Sequence, residues 1–528
     1  MAVPPVPQAR TAVMVRAVHA PLLLDVVIGL LIAVALPLAI VAIPNTISIV
    51  AALLPPGVQT EDMMRAHGLA LPAMLLTVPV AALAVRRFRA APVLVAGLTL
   101  LALADASGGF ADSADLVAIL RIVHGIGAGM LIPGTLAAAA ERPRRNILLP
   151  IWTGMLAASL LCAQALALLP LDAVDSWRVT LQPYPMLTGI ALGLAAAYLV
   201  LWLLAGEHER AQTVQAEDEA VGGQGRAGRW PARAELVRLV SAAVPAVVIA
   251  VLGIGMTFDW PTYRVLIAAA IAVAVMVALV VFGSFEEPGG RTLAFANVAV
   301  GLVVLPTAAQ TTYLEMGGVG GPGLSGIWTP FVLAAVGALG CAYFAARAPQ
   351  QMAFRLTTAG LVAVVAGLCA IRLLVPQPYG PPLVVPFVLL AAGSAVALVS
   401  ALRLAGQGST LLGLSFCAST VFAGILVGSG IQFLQLRQVG QMPNPTQQSV
   451  VGGLVDALHA WALAGGFVVV VIIVLASVMA RRDAASPAGT RLMFGRGRAV
   501  RDEALVIPAP TPSPEGEDGT NGEPLSDR

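Results

Sequence analysis

Apolar residues in this chain come in long blocks rather than in alternation. Blocks of about 20 residues, each long enough to cross a hydrocarbon layer of about 30 Å as a helix, recur along its whole length. Fourteen spans can be drawn, near residues 24–48, 64–84, 91–110, 115–138, 147–170, 183–205, 236–257, 264–284, 292–313, 325–346, 355–376, 382–403, 409–433 and 455–480. Two stretches break the pattern. Residues 206–235 are polar, acidic first and basic after, and predict a cytoplasmic loop. Residues 483–528 are too polar and too rich in Pro and Gly to fold alone, and predict a disordered tail. The first apolar run is too long for a cleaved leader and reads as a retained helix. The pattern as a whole predicts an all-α polytopic membrane protein with about 14 transmembrane helices.

Composition agrees: 58% of the 528 residues are hydrophobic and 11% charged. All 30 basic residues are arginine, which we read as compositional bias rather than chemistry. Their placement carries more information than the net charge of +2, which gives no reason to expect nucleic acid. Arg86, Arg87, Arg89, Arg142, Arg144, Arg145, Arg291, Arg347, Arg403, Arg481 and Arg482 all fall between even- and odd-numbered spans or at the chain ends. The opposite loops hold Arg65, Arg178, Arg264 and Arg437. By the positive-inside rule the arginine-rich loops and both termini are expected in the cytoplasm, with the chain multi-pass in the plasma membrane and the bilayer its solvent.

Little here suggests soluble chemistry. Cys162, Cys341, Cys369 and Cys417 sit in apolar runs with no CxxC pair and no histidine at ligand spacing, so they read as packing groups and no metal or cofactor is expected. There is no P-loop and no recognisable Ser/His/Asp grouping, which argues against an ATP-driven pump or an enzyme.

Polar groups inside the spans cost several kcal/mol and mark candidate sites. Arg121 lies about six residues into the fourth span, and His124 follows one turn later on the same face. Gly125 and Gly129, four apart, let a neighbouring helix approach closely, and Pro133 loosens the helix beyond them. A polar face beside a small-residue groove suits a cavity wall. The candidate carboxylates are Asp105 on the third span, Glu315 after the ninth, and Asp456, which shares a helix face with His459 as a proton relay or a local interfacial pair.

Three local patterns, "AALAVRRFRAAPVL", "RIVHGIGAGMLIPG" and "WRVTLQPYP", resemble signatures of one family, the major facilitator superfamily. "AALAVRRFRAAPVL" (81–94) is similar to its loop signature Gly-x-Leu-Ala-Asp-Arg-x-Gly-Arg-Arg through Leu83, Ala84, Arg86 and Arg89, with Val85 in place of the aspartate and Phe88 in place of the second glycine. "RIVHGIGAGMLIPG" matches Arg-x-x-Gln-Gly-x-Gly-Ala through Arg121, Gly125, Gly127 and Ala128, with His124 for the glutamine. "WRVTLQPYP" (177–185) resembles the Trp-Arg-x-x-Phe element of the 14-helix drug:proton antiporter branch. The branch's first-helix aspartate falls at Ala35, and its Gly-Pro-x-x-Gly-Gly element is missing from the fifth span, so the chain resembles a divergent member.

The resemblance implies a six-helix bundle over 1–205, an inserted helix pair over 236–284 and a second six-helix bundle over 285–482, with a substrate path between the bundles. It implies an efflux transporter for a small apolar or amphipathic compound, with protons as counter-ion. Arg121, His124, Asp105 and Glu315 would line the substrate or proton pathway, and Arg86 and Arg89 would act in the conformational loop. The rival expectation is a facilitator-like protein without transport, kept as a scaffold or partner-binding subunit.

Overall fold

The computed structural model describes residues 8–56, 58–171, 176–217, 233–257, 260–282, 288–317, 323–376, 381–405 and 407–485. Among them it has no strand and fifteen α-helices. The first seven are α1 (Gln8–Val41), α2 (Thr60–Gly68), α3 (Ala70–Phe88), α4 (Ala90–Gly108), α5 (Ala114–Ala140), α6 (Arg145–Leu168) and α7 (Pro185–Glu217). Then come α8 (Arg233–Thr257), α9 (Thr262–Phe282), α10 (Pro288–Gly317) and α11 (Gly323–Arg347). The last four are α12 (Ala353–Leu374), α13 (Val384–Leu404), α14 (Gln407–Gly440) and α15 (Gln447–Ala485). Among the described residues thirteen spans are long and apolar enough to cross a bilayer, α2 and α3 counting as one. Within α8 the shorter stretch Ala243–Gly255 is apolar.

Side chains such as Val80, Phe344, Phe467 and Leu373 are exposed, which is costly in water and neutral in lipid. The chain is a multi-pass membrane protein, helical throughout its described spans.

Residues Met1–Ala480 cluster as one compact unit; of the second, Arg481–Arg528, only the end of α15 is described. Inside the first unit, α5 packs against α3 and α4, α4 against α7, and α1 against α5, α6 and α7. A second set joins α10 to α14 and α13, and α13 to α11 and α12. The sets meet where α6 touches α10, α11 and α13, and where α14 touches α3 and α5. α8 and α9 lie along this seam: α8 contacts α3 and α14, and α9 contacts α14 and α10.

Close contact within each set depends on missing β-carbons. A β-carbon at Gly125 would collide with the carbonyl of Ala70, and one at Gly129 would sit 2.8 Å from Met74 O, so α5 lies directly on α3. α10 is buried on nearly all sides, as the central helix of its set.

Several boundaries differ from the sequence reading, among them the start of α1 at Gln8, the end of α14 at Gly440 and the start of α15 at Gln447; three others have a clear physical reason. α1 stops at Val41, not near 48, because Pro44 disfavours a helical residue before it; a 3-10 segment, Ile47–Leu53, follows. The polar stretch after 205 does not begin as a loop. α7 runs on to Glu217 through "GEHERAQTVQAE", whose Glu, Ala, Gln and Arg are good helix formers. α15 likewise runs to Ala485, while the remainder of the tail, 486–528, lies outside the described residues.

Candidate functional site

Two polar regions stand out, one at each end of the helices. The first surrounds Arg121. Ser113 caps α5 by accepting a hydrogen bond from the Leu116 amide, and Asp115 sits in the first turn, so α5 begins firmly and carries Arg121 two turns inward. The side chain is 4% exposed. Its Nη2 donates to the carbonyl of Ala42, just past the end of α1, at 3.0 Å. Its Nε donates to the carbonyl of His67, in the last turn of α2, at 3.3 Å. A buried guanidinium thus satisfies carbonyls at two helix C-termini, where the backbone dipoles favour a cation.

His67 extends the network. Its Nδ1 lies 3.1 Å from Met63 O and its Nε2 3.0 Å from the Thr180 hydroxyl. A neutral ring that donates from Nδ1 accepts at Nε2 the one hydroxyl proton that Thr180 also directs at Trp177 O, 2.8 Å away. Thr180 belongs to the "WRVTLQPYP" segment, from which Arg178 donates to Ala111 O at 2.7 Å and Tyr184 to Leu166 O at 2.7 Å. These groups surround a separate small apolar cluster that includes Ile47, Val50, Met63, Val117, Trp177 and Leu181.

One turn beyond Arg121, His124 meets Asp105 of α4, with Nδ1 3.7 Å from Oδ1. The other carboxylate oxygen, Oδ2, accepts from the Thr188 hydroxyl of α7 at 2.6 Å. All three side chains are buried, and Oδ1 has no hydrogen-bond partner. At 3.7 Å the two side chains are neighbours beyond hydrogen-bond range, both buried inside the helix bundle.

The structure brings Arg121, His124 and Asp105 into one neighbourhood and leaves Glu315 out of it. Glu315 is fully buried on α10, in the other helix set. Asp456 is exposed on α15, and His459 donates to Val375 O at 2.8 Å rather than facing it. Pro133 lies inside α5 with Gly125 and Gly129 on the same helix. Ala35 is fully buried, so no carboxylate stands at that point of α1.

The second region is a cavity of about 490 Å³ at the arginine-rich end, bounded by α3, α5 and α6 from one set and α11, α13 and α14 from the other. Arg86, Arg89, Arg145, Arg403 and Glu141 lie on its wall. Arg403 also donates to the carbonyls of Ala345 and Ala348, at 2.9 and 2.7 Å, closing the end of α11. Arg89 joins α3 to α4 with φ 69° and ψ 172°, a conformation that glycine adopts and other residues rarely do. Glu141 sits beneath the first turn of α4 and accepts from the Ala90 amide. Partial desolvation pushes its pKa above the ordinary 4.5, against the pull of Arg89, that amide and Arg142. Alongside, Asp25 of α1 accepts from Arg142 Nε at 2.7 Å and lies 3.5 Å from Arg144, tying α1 to the α5–α6 turn.

Between the two regions the seam is apolar and tight. A void of only about 20 Å³ remains among Ile40, Met74, Ile132, Leu156, Cys417 and Val421.

His67, Thr188 and Glu141 escaped the sequence reading. So did the polar stripe of α10, where Thr307 accepts from the Trp461 indole at 2.9 Å and Gln310 is buried beside Gly428. Only the last had a local signal, since Thr307, Gln310 and Thr311 recur at helical spacing with Glu315, the one member of the stripe already a candidate.

No family model matches the sequence, and no curated protein does. Among solved structures the chain is similar to the major facilitator superfamily proton:xylose symporter XylE bound to 6-bromo-6-deoxy-D-glucose. The TM-score is 0.48 at 12% identity, over 84% of this chain and 95% of that one.

Proposed function

We propose that this protein is a secondary transporter that exports a small amphipathic compound through the seam between its two helix sets, with protons moving the other way. One observation carries the reading: a cavity with walls from both sets lies at one end of the seam, and apolar contacts close the seam beyond it. Rocking the sets about that constriction would expose the cavity to the two sides in turn. The sequence patterns at residues 81–94, 121–134 and 177–185 support the facilitator-type assignment, with Arg86 and Arg89 in the moving loop. The buried Asp105–His124 pair is the coupling group in this reading. Arg121 is a positioning residue, holding the ends of α1 and α2 beside that pair.

The test is flux in liposomes. Purified protein should move a fluorescent amphipathic dye when a pH gradient is imposed. Asp105→Asn should reduce gradient-driven flux at least about tenfold while sparing dye-for-dye exchange, because exchange needs no proton step. Arg121→Ala should abolish both. If no gradient moves any of a broad panel of compounds, the scaffold reading takes its place, and the buried carbonyl contacts of Arg121 then serve stability alone.

A further inference from the structure

The cavity has a chemical bias that neither the span pattern nor the transport reading requires. Four arginines, Arg86, Arg89, Arg145 and Arg403, face it with one carboxylate, Glu141. The wall behind them is oily: Leu136, Leu149, Val399 and Leu402 line the same space. A volume of about 490 Å³ is that of a small-molecule site. The charges belong to both helix sets: Arg86, Arg89 and Arg145 lie on one, and Arg403, its Nη atoms engaged by the Ala345 and Ala348 carbonyls, adds its positive field from the other. Topology needs arginines at this end of the helices, but not turned toward a shared apolar hollow.

From this we infer that the cavity selects amphipathic anions, an acidic head among the arginines and an apolar body against the leucines. The inference rests on the transport reading for its meaning as a cargo site and names the cargo's class. Arg145 and Arg86 attract the head, and Glu141 sets a limit on its charge density. The apolar constriction beyond the cavity receives the body as the sets rock.

Three ten-carbon probes that differ only in the head test it: decanesulfonate, decyltrimethylammonium and decanol. Tritiated decanesulfonate binding is measured on the full-length protein in phosphatidylcholine nanodiscs, with empty discs subtracted. The sulfonate should bind saturably and be displaced by itself, but not by the ammonium or the alcohol at equal concentration. Arg145→Gln should weaken binding about threefold and Glu141→Gln should strengthen it about twofold, magnitudes set by partly exposed charges. Because the shifts have opposite signs, loss of folding cannot imitate both. Equal competition by the ammonium, or an affinity indifferent to both substitutions, overturns the inference. So does displacement of the sulfonate by short-chain phosphatidylglycerol at matched concentration, which would make the cavity a headgroup seat rather than a cargo site. No gradient is involved, so the outcomes separate from those of the flux assay. A transported cationic dye with no sulfonate binding removes the anion inference alone, and sulfonate binding with no flux of any compound removes the transport reading.

Discussion

The two ends of this protein use the same residue type in opposite ways. At one end Arg121 is buried, and its donors are aimed at the Ala42 and His67 carbonyls. At the other, Arg86, Arg89 and Arg145 are exposed around a cavity. A guanidinium out of water must have its donors satisfied by fixed partners, which makes it a clasp. A guanidinium at the rim of a wet hollow keeps its hydration and acts as a field. The first arginine ties helix ends within one set, and the second group borders a space that both sets share.

The largest expected effect tests the clasp. Arg121→Ala strips two helix ends of their donor and leaves Asp105 buried beside a lost positive charge. Unfolding in mixed micelles should then show a loss of about 3 kcal/mol. Arg145→Ala, at the cavity end, should cost less than about 0.5 kcal/mol. Arg121→Lys should recover only part of the loss, since one ammonium lacks the spread to serve both carbonyls. Similar losses at Arg121 and Arg145 would erase the distinction between the ends.

How much of this could be read from the chain differs between fold and site. A bilayer demands long apolar helices, so the spans were written plainly in the sequence. The helical run past 205 was not, because polarity alone does not separate a loop from a solvated helix rich in Glu, Gln and Ala. Arg121, His124 and Asp105 announced themselves as charges too costly to lie in lipid. That His124 meets Asp105 depends on how α4 seats on α5 at the contact between Gly97 and Gly127. Nothing local marks His67 or Thr188, whose partners lie 113 and 83 residues away. Arg145 and Arg403 were legible as topological charges, and the sequence was silent on their sharing a cavity.

A middling effect probes the loop that borders the cavity. Arg89 holds a backbone conformation suited to glycine, at a cost of about 1–3 kcal/mol. Arg89→Gly relieves that strain but adds freedom to the unfolded chain, for a net gain of about 1 kcal/mol in the same micelle titration. Flux should fall although the fold is firmer. A stabilised variant with unchanged flux would show that the strain serves nothing at the moving end. A destabilised one would show that the guanidinium's hold on Glu141 outweighs the backbone.

The smallest effect concerns Glu141, the single carboxylate among the arginines of the cavity wall. Its pKa is raised above 4.5 by partial desolvation, so the folded state prefers the neutral acid more than the unfolded chain does. The sign follows: stability from this group is greatest below pH 4.5, falls as the pH climbs from 4.5 through the raised value, and is level above it. Glu141→Gln removes the dependence. The variant should match the wild type near about pH 4 and exceed it by no more than about 0.5 kcal/mol at neutral pH, the exposure of the residue keeping the difference small. Unfolding curves at a series of pH values measure it. A variant that instead loses ground as the pH rises would mean that Arg89 and the Ala90 amide stabilise the carboxylate more than desolvation costs it. Glu141 would then join Arg403 and the Arg142–Asp25 pair as a clasp at the arginine end, and the contrast with the Arg121 end would be one of degree.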